Sequence, residues 1–280
     1  MREINTKTIT EAVSRMCIEA NSYLGADVKK RISECRACEP WPGAEEILGK
    51  IEENIKIAED DFVPLCQDTG LACVFIEAGQ DVHVVGGSLE EAVNEGVRRG
   101  YGEGYLRKSV VKDPVRRGNT GDNTPAHIHY EIVPGDGFKI TVAPKGFGSE
   151  NMSQIKMFPP AAGEDGVKDF IVRCVEEAGA NPCPPVVVGV GIGGTFDRAV
   201  LMAKEALLIP FDKENEDPYY AAMEAELLER INNLGIGPQG LGGRTTALAV
   251  KIKTFPTHIA GMPVAVNINC HVSRHKEVSL

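Results

Sequence analysis

The chain has 280 residues, 42% of them hydrophobic and 25% charged, which is the composition of an ordinary globular protein able to bury a sizeable core. A net charge of −10 argues against a nucleic-acid or anionic-membrane surface, since both need clustered cations. No apolar run approaches the length of a membrane span, and the first residues lack the apolar core of a secretory signal. We therefore expect a cytoplasmic protein whose eight cysteines are reduced thiols or metal ligands.

Hydrophobic periodicity in the first half predicts a helical N-terminal segment followed by strands. Apolar residues recur at three- and four-residue spacing between positions 7 and 60. The period then changes to that of strands at 71–77 and 82–85, and Ser88 with Glu91 forms a capping-box pair that starts a helix. Residues 101–124 are rich in glycine and basic side chains, which is typical of a loop.

The second half mixes strands and helices, so the predicted fold class is α+β, with mixed β-sheets packed with helices. A hairpin is expected from residues 126–132 and 138–143. Helices are expected at 163–178, 197–208 and 217–234, and further strands at 186–192, 246–254 and 264–268. No linker marks a domain boundary. We therefore expect a single unit over 1–280, with a helical segment at 1–60 and the cofactor-binding part at 61–280.

Three cysteines stand where an expected loop meets apolar sequence. Cys66, Cys183 and Cys270 each lie beside proline or a short polar residue, a position from which a thiolate can point into a shared cavity. Three thiolates fit an iron–sulfur cluster with one open iron better than a closed electron-transfer cluster, which usually takes four cysteines. An open iron can act as a Lewis acid on a leaving hydroxide. For each residue taken alone, a buried structural thiol is the competing interpretation.

The other five cysteines are assigned to the scaffold. Cys17, Cys73 and Cys174 lie within regular elements among apolar neighbours, where a thiol behaves as a small hydrophobe. Cys35 and Cys38 form a C-x-x-C pair, but the local pattern is helical and no second pair stands at zinc-ribbon spacing. Zinc or redox chemistry at this pair is the disfavoured alternative.

Residues 189–194 read G-V-G-I-G-G and match the G-x-G-x-x-G pattern of a dinucleotide site. Asp212 stands near the distance at which such a site places its acid. The strand that should carry Asp212 is only residues 209–211, however, and its Pro210 cannot sit in a central strand. We interpret the glycines as tight packing of a helix on a sheet, with phosphate or carboxylate binding as the alternative.

Five motifs taken together closely resemble the alpha part of class I fumarases and L-tartrate dehydratases. They are C-Q-D-T-G at 66–70, K-G-F-G-S-E-N at 145–151, N-P-C-P-P at 181–185, G-V-G-I-G-G at 189–194 and L-G-I-G-P-Q-G at 234–240. The likeness covers nearly the whole chain. The loop at 145–151 resembles the fumarase branch, so the resemblance implies reversible hydration of fumarate to (S)-malate, with L-tartrate dehydration as the alternative.

The resemblance implies an oxygen-sensitive 4Fe-4S hydro-lyase in which Cys66, Cys183 and Cys270 match the cluster ligands. Catalytic roles fall on Asp68 and on His258, which would pair with Asp68 or with a substrate carboxylate.

Substrate binding is implied for a second group of residues. Gln67 would lie against the substrate and Arg107 matches a carboxylate-binding arginine, while Lys145, Gly146 and Gly148 belong to a loop that would hold the dicarboxylate.

The partners implied are a small dicarboxylate and a second subunit. The chain stops soon after Cys270 and has no beta part, which supplies the rest of the substrate pocket in the single-chain enzymes. We therefore expect a separate beta subunit, assembled with this chain as a heterotetramer. A dinucleotide-dependent oxidoreductase and a non-catalytic metal subunit are the rival classes.

Overall fold

A computed structural model describes residues 1–280 and confirms the α+β class. The helices are α1 (Thr6–Ser22), α2 (Ala26–Cys38), α3 (Pro42–Asp60), α4 (Leu89–Glu103), α5 (Phe147–Glu150), α6 (Gly163–Ala178), α7 (Phe196–Ala206) and α8 (Pro218–Asn232). The strands are β1 (Arg2–Asn5), β2 (Leu71–Gly79), β3 (Val82–Val85), β4 (His127–Val133), β5 (Phe138–Lys145), β6 (Gln154–Phe158), β7 (Val186–Gly193), β8 (Ala247–Phe255), β9 (Met262–Asn269) and β10 (Lys276–Ser279). No helix is both long and apolar enough to cross a membrane.

The chain forms two compact units, each assembled from separated stretches. The first unit consists of Met1–Leu24, Ile55–Phe147 and Arg274–Leu280. The second unit consists of Gly25–Asn54 and Gly148–Ser273. None of the four junctions between these stretches falls at residue 60, because α3 begins in the second unit and ends in the first.

The first unit packs α1 and α4 with a four-stranded sheet of order β10-β5-β2-β4. The apolar stripe of α1 is buried with Val93 and Val97 of α4. The two helices cross closely because α4 presents glycine at the crossing. A Cβ on Gly96 would lie 2.8 Å from the carbonyl oxygen of Thr10, and one on Gly100 would lie 2.7 Å from that of Ser14. A separate parallel pair joins β1 to β3.

The expected hairpin of residues 126–132 and 138–143 is wrong, although both strands exist. β4 and β5 do not pair with each other, because β2 lies between them and pairs parallel with β4 and antiparallel with β5. The turn after β4 wraps around the end of β2, where the amide of Gly79 donates to the carbonyl of Gly137. A Cβ on Gly79 would lie 2.3 Å from the carbonyl oxygen of Gly135, so this crossing requires glycine.

The second unit is a mixed sheet of order β6-β9-β7-β8 covered on both faces. Val186, Val188 and Val190 of β7 face a core shared with α6 and α8. The opposite face of β7 carries Gly189 and Gly191 and packs against α7. A Cβ at these positions would lie 2.2 Å from the Ala203 carbonyl oxygen and 2.1 Å from that of Ala199. These distances confirm helix-on-sheet packing as the reason for the G-x-G-x-x-G pattern.

Candidate active site

The turn Cys66–Gly70 of the first unit brings a thiol, an amide and a carboxylate together. We call it the ligand turn, because the sequence analysis predicts Cys66 as a metal ligand. The amide of Asp68 donates to the sulfur of Cys66 at 3.4 Å. The Cys66 thiol lies 3.9 Å from the side-chain oxygen of Gln67, and the Gln67 side chain is exposed. Gly70 closes the turn at a φ of 78°, a conformation that favours glycine. The structure therefore keeps Cys66, Gln67 and Asp68 side by side on a rigid turn.

Both carboxylate oxygens of Asp68 are held by backbone amides. Oδ1 accepts from the amide of Gly70 at 3.0 Å, and Oδ2 accepts from the amide of Phe147 at 3.0 Å. The backbone of Gly146 passes so close that a Cβ there would lie 3.2 Å from Oδ2. Asp68 thus ties the ligand turn to the start of the loop at 145–151, and Gly146 leaves its carboxylate open on one side.

Two buried side chains fix the main chain of this turn from behind. The Tyr101 hydroxyl donates to the carbonyls of Thr69, at 2.9 Å, and Gly70, at 3.0 Å. The Asn123 side chain donates to the same Gly70 carbonyl at 3.2 Å. Burial raises the pKa of Tyr101 well above its usual range, so the phenol stays a neutral donor.

Arg107 is attached to the same turn through its backbone. Its amide donates to the Thr69 hydroxyl at 2.8 Å, and that hydroxyl donates to the Arg107 carbonyl at 3.3 Å. The Arg107 side chain is exposed. Lys145, by contrast, is 5% exposed and pairs across the sheet with Leu71. The first unit therefore brings Arg107, Lys145 and Gly146 to the residues that flank Cys66.

In the second unit, Cys183 and Cys270 lie at the same end of the neighbouring strands β7 and β9. Cys183 precedes β7 and Cys270 follows β9, and these strands pair antiparallel with Val187 opposite Asn269. The ring of His271 lies with Nδ1 3.0 Å from the Cys183 carbonyl, which ties the two cysteine-bearing turns together.

Gln239 braces the Cys183 turn from the glycine-rich loop at 234–243. Its backbone amide and its side-chain Nε2 both donate to the Pro184 carbonyl, at 2.7 and 2.9 Å. Nε2 also lies 3.3 Å from Nδ1 of His271. Cys183 and Gln239 both have a positive φ, 55° and 56°. A residue other than glycine adopts this backbone conformation only where its surroundings impose it.

The remaining two predicted residues occupy different places in the second unit. A Cβ on Gly148 would lie 3.5 Å from the carbonyl of Asn181, two residues before Cys183. His258 is exposed in the loop before β9, where its Nδ1 accepts from the Ala260 amide at 3.2 Å. Cys270 follows the other end of this strand, and eight residues span roughly 23 Å. Within this unit, His258 is therefore not brought to the cysteines.

Three of the five scaffold cysteines have thiols that are poorly suited to bind a metal. All eight cysteines are free, and Cys183 is exposed while Cys66 and Cys270 are half-buried. Burial raises the pKa of Cys17 and of Cys174 to about 12 and that of Cys35 to about 11. Such thiols stay protonated at neutral pH and are poor metal ligands.

The donor set fits an iron–sulfur cluster in its chemistry. The three thiols stand in tight turns, and one of them already accepts a backbone N–H at its sulfur, a contact that also tunes cluster sulfurs. Neither unit by itself gathers three His, Cys, Asp or Glu side chains around a single-ion site. The expected set combines Cys66 of the first unit with Cys183 and Cys270 of the second.

Sequence reasoning missed several residues that build these turns. Arg274 donates from Nη2 to the Asp68 carbonyl, and Tyr101 and Asn123 support the same turn. Gln239 lies in the motif at 234–240 and His271 directly follows Cys270, but neither was assigned a role. No local pattern marks these residues, because each acts on a partner more than thirty positions away.

The chain is similar in sequence to known proteins over nearly its whole length. The family model described as fumarate hydratase (Fumerase) matches residues 10–279. A protein of Methanocaldococcus jannaschii, provisionally named L(+)-tartrate dehydratase subunit alpha, is 42% identical over 275 residues, which is 95% of each chain. The L(+)-tartrate dehydratase subunit alpha of Escherichia coli K12 is 30% identical over 270 residues, 95% of this chain and 88% of the relative.

Thiol- and carboxylate-bearing turns held on an α+β scaffold, together with these comparisons, define the chain as a hydro-lyase. More narrowly, the chain belongs to the fumarate hydratase family.

Proposed function

We propose that this chain is the alpha subunit of a two-subunit, 4Fe-4S-dependent hydro-lyase that acts on a four-carbon dicarboxylate. Fumarate hydration to (S)-malate is the first candidate, because the loop at 145–151 resembles that of fumarases. Dehydration of L-tartrate is the second, and the names of the relatives favour it. The observation that carries the proposal is the Cys66–Gly70 turn, which holds a soft metal ligand two residues from a backbone-anchored carboxylate.

Cys66, Cys183 and Cys270 would hold the cluster as thiolates. When bound, the cluster would supply an open iron able to act as a Lewis acid on a hydroxyl group. All eight cysteines are free, which supports the reducing, cytoplasmic location expected from the sequence.

The chain's own residues would bind the dicarboxylate and handle a proton. Arg107 presents an exposed guanidinium at the ligand turn, and a guanidinium matches a planar carboxylate with two parallel hydrogen bonds. Gly146 and Gly148 leave two positions of the loop at 145–151 without a side chain, so a substrate can approach the backbone there, and Lys145 adds a positive charge. Gln67 would contact the substrate through its exposed amide.

Asp68 is the proposed proton-transfer group of this chain. Its carboxylate oxygens have fixed positions, since each accepts a backbone N–H, and a fixed carboxylate needs no reorganisation when a proton moves. Pairing of Asp68 with His258 stays a prediction, and the exposure of His258 leaves its ring accessible to a partner or a substrate.

A separate beta subunit would complete the substrate pocket, with the two chains assembled as a heterotetramer. Support comes from the relatives, which are named as alpha subunits of an enzyme and match this chain over most of their length. The acidic chain carries no feature that calls for nucleic acid or membrane lipid as a partner.

The test is anaerobic co-expression with candidate beta chains, followed by iron and sulfide analysis and by assays of fumarate and L-tartrate turnover. Cys183→Ser is expected to abolish both the cluster and activity, because serine is a poor ligand for iron. Cys35→Ser is the matched control and should retain both. Cys35 is a partly buried residue of α2, and the raised pKa of its thiol makes it a poor metal ligand. Full activity in Cys183→Ser would end the cluster proposal.

The dinucleotide alternative loses its structural basis at the glycines of β7. The helix backbone fills the space where Gly189 and Gly191 lack a side chain, so these two glycines serve packing against α7. Tight NAD binding by a protein without iron would nevertheless favour the oxidoreductase over the hydro-lyase.

A further inference from the structure

Arg274 is a buried cation without an anionic partner. The residue is 5% exposed, and it opens the segment that leads into β10. Its Nη2 donates to the main-chain carbonyl of Asp68. Its Nε and Nη1 are buried and have no hydrogen-bond partner. A guanidinium stays protonated in proteins, so a full positive charge stands here next to the ligand turn.

The fold alone gives no reason for this charge. One neutral donor would satisfy the Asp68 carbonyl, and an unpaired buried ion destabilises a protein. Burial raises the pKa of the Tyr101 hydroxyl, and the charge of Arg274 opposes that rise. Tyr101 remains neutral, so it does not compensate the arginine either.

Negative charge that could compensate Arg274 would be located at Cys66, on the other side of the Asp68 main chain. The amide of Asp68 donates to the Cys66 sulfur, while its carbonyl accepts from Arg274. A thiolate at Cys66 is an anion, a 4Fe-4S cluster with three thiolates carries net negative charge, and a four-carbon dicarboxylate adds two more charges. Buried charge of one sign is tolerated where the opposite sign is present in the working state.

We propose that Arg274 is a positioning residue of the active site that fixes the Asp68 main chain and compensates the negative charge of the loaded ligand turn. This inference rests on the proposed function. Arg274 touches neither substrate nor cluster in the argument; it acts through Asp68 and through its field. Its charge should favour the more negative, reduced state of the cluster and so raise the reduction potential.

The experiment uses the anaerobically assembled alpha–beta enzyme and compares wild type with Arg274→Met, Arg274→Lys and Arg274→Gln. Arg198→Met is the matched control, because Arg198 also has a buried Nε without a partner and stacks on the ring of Phe255 in the second unit. Iron content, the reduction potential from dithionite titration followed by EPR, kcat and KM are measured, and the Tm of the cluster-free chain is recorded.

Support consists of four results together. Arg274→Met gives a more negative reduction potential and at least a tenfold lower kcat than wild type. The Tm of its cluster-free chain is no lower than that of wild type. Arg274→Lys restores most of the potential, and Arg198→Met matches wild type. A structural role would instead lower the Tm of Arg274→Met, because a needed contact would be lost, and would leave the potential of any retained cluster unchanged.

The inference is overturned if Arg274→Met keeps the wild-type potential and kcat, or if only its Tm falls. Should Arg274→Met fail to fold, Arg274→Gln keeps a donor without charge, and a wild-type potential in that variant overturns the role of the charge. A wild-type assembly that binds no cluster refutes the proposed function itself, an outcome distinct from a loaded wild type with indifferent Arg274 variants.

Discussion

The Asp68 carboxylate offers the sharpest test of the site, because its two oxygens carry a structural and a chemical task together. In Asp68→Asn, one side-chain oxygen can still accept from the Gly70 amide at the Oδ1 position. The new NH₂ group then faces the Phe147 amide, so two donors meet where a carboxylate oxygen accepted at 3.0 Å. The substitution therefore removes one hydrogen bond to a charged acceptor and leaves the other.

The magnitude follows from that count. A hydrogen bond to a charged group contributes about 1.5–3 kcal/mol, and the half-buried position of Asp68 favours the lower end. For a chain of this size a loss of that order lowers the Tm by roughly 3–8 °C. Asp68→Ala removes both hydrogen bonds and should lower the Tm about twice as far. Loss of a positioned proton-transfer group typically lowers turnover by about 10²–10⁴-fold.

The assay measures turnover of fumarate and L-tartrate by the assembled enzyme, with thermal unfolding of each chain alongside. Asp113→Asn is the matched control, because the Asp113 carboxylate likewise accepts from two backbone amides, those of Val115 and Arg116. This control should show a small loss of Tm and wild-type turnover. Turnover by Asp68→Asn within threefold of wild type would remove Asp68 from the chemistry, and an unchanged Tm would refute the hydrogen-bond argument.

Two further predictions concern packing and pH. Gly191→Ala should lower the Tm by the equivalent of about 1–3 kcal/mol, because its Cβ would lie 2.1 Å from the Ala199 carbonyl oxygen. The control Gly102→Ala in α4 has open space around it and should leave the Tm equal or higher. Equal Tm values for the two variants would contradict the packing role of Gly191. For Glu39, burial opposes ionisation, but hydrogen bonds from Arg244 and Thr245 outweigh it and hold the pKa of the carboxyl below its usual value. Because the folded-state pKa is the lower one, the stabilisation by Glu39 is present above the unfolded pKa and is lost as the pH falls through the folded pKa. The Tm gap between wild type and Glu39→Gln should therefore shrink as the solution is acidified below the usual carboxyl pKa, and a constant gap would refute the linkage.

Local signals in the sequence predicted the helices and the long strands well. The expected helix at 163–178 coincides with α6, and Ser88 caps α4 as its pairing with Glu91 indicated. Strand pairing could not be predicted in the same way. β4 and β5 are close in sequence and joined by a turn, which favours a hairpin, yet the partner of both is β2, more than fifty positions earlier than β4. The short strands β1, β6 and β10 carry too few residues for a periodic signal.

In the candidate site too, residues in contiguous motifs could be predicted, whereas residues that act through distant contacts could not. Cys66, Gln67, Asp68 and the loop at 145–151 were predicted because they form contiguous motifs, and the first unit does bring that turn and that loop into contact. Arg274 could not be found from sequence, because its only mark is a hydrogen bond to a residue 206 positions away. The distance of His258 from Cys270 likewise depends on the direction of β9, which motifs do not encode.

The interleaving of the two units has a consequence for how the protein is made. The first unit takes its final strand and Arg274 from residues 274–280, which leave the ribosome after every residue of the second unit. Until residues 274–280 pair with β5, the first unit therefore lacks both an edge strand and the side chain that donates to the Asp68 carbonyl. A species in which this segment is detached would carry an incomplete turn at Cys66–Gly70, even with the second unit folded.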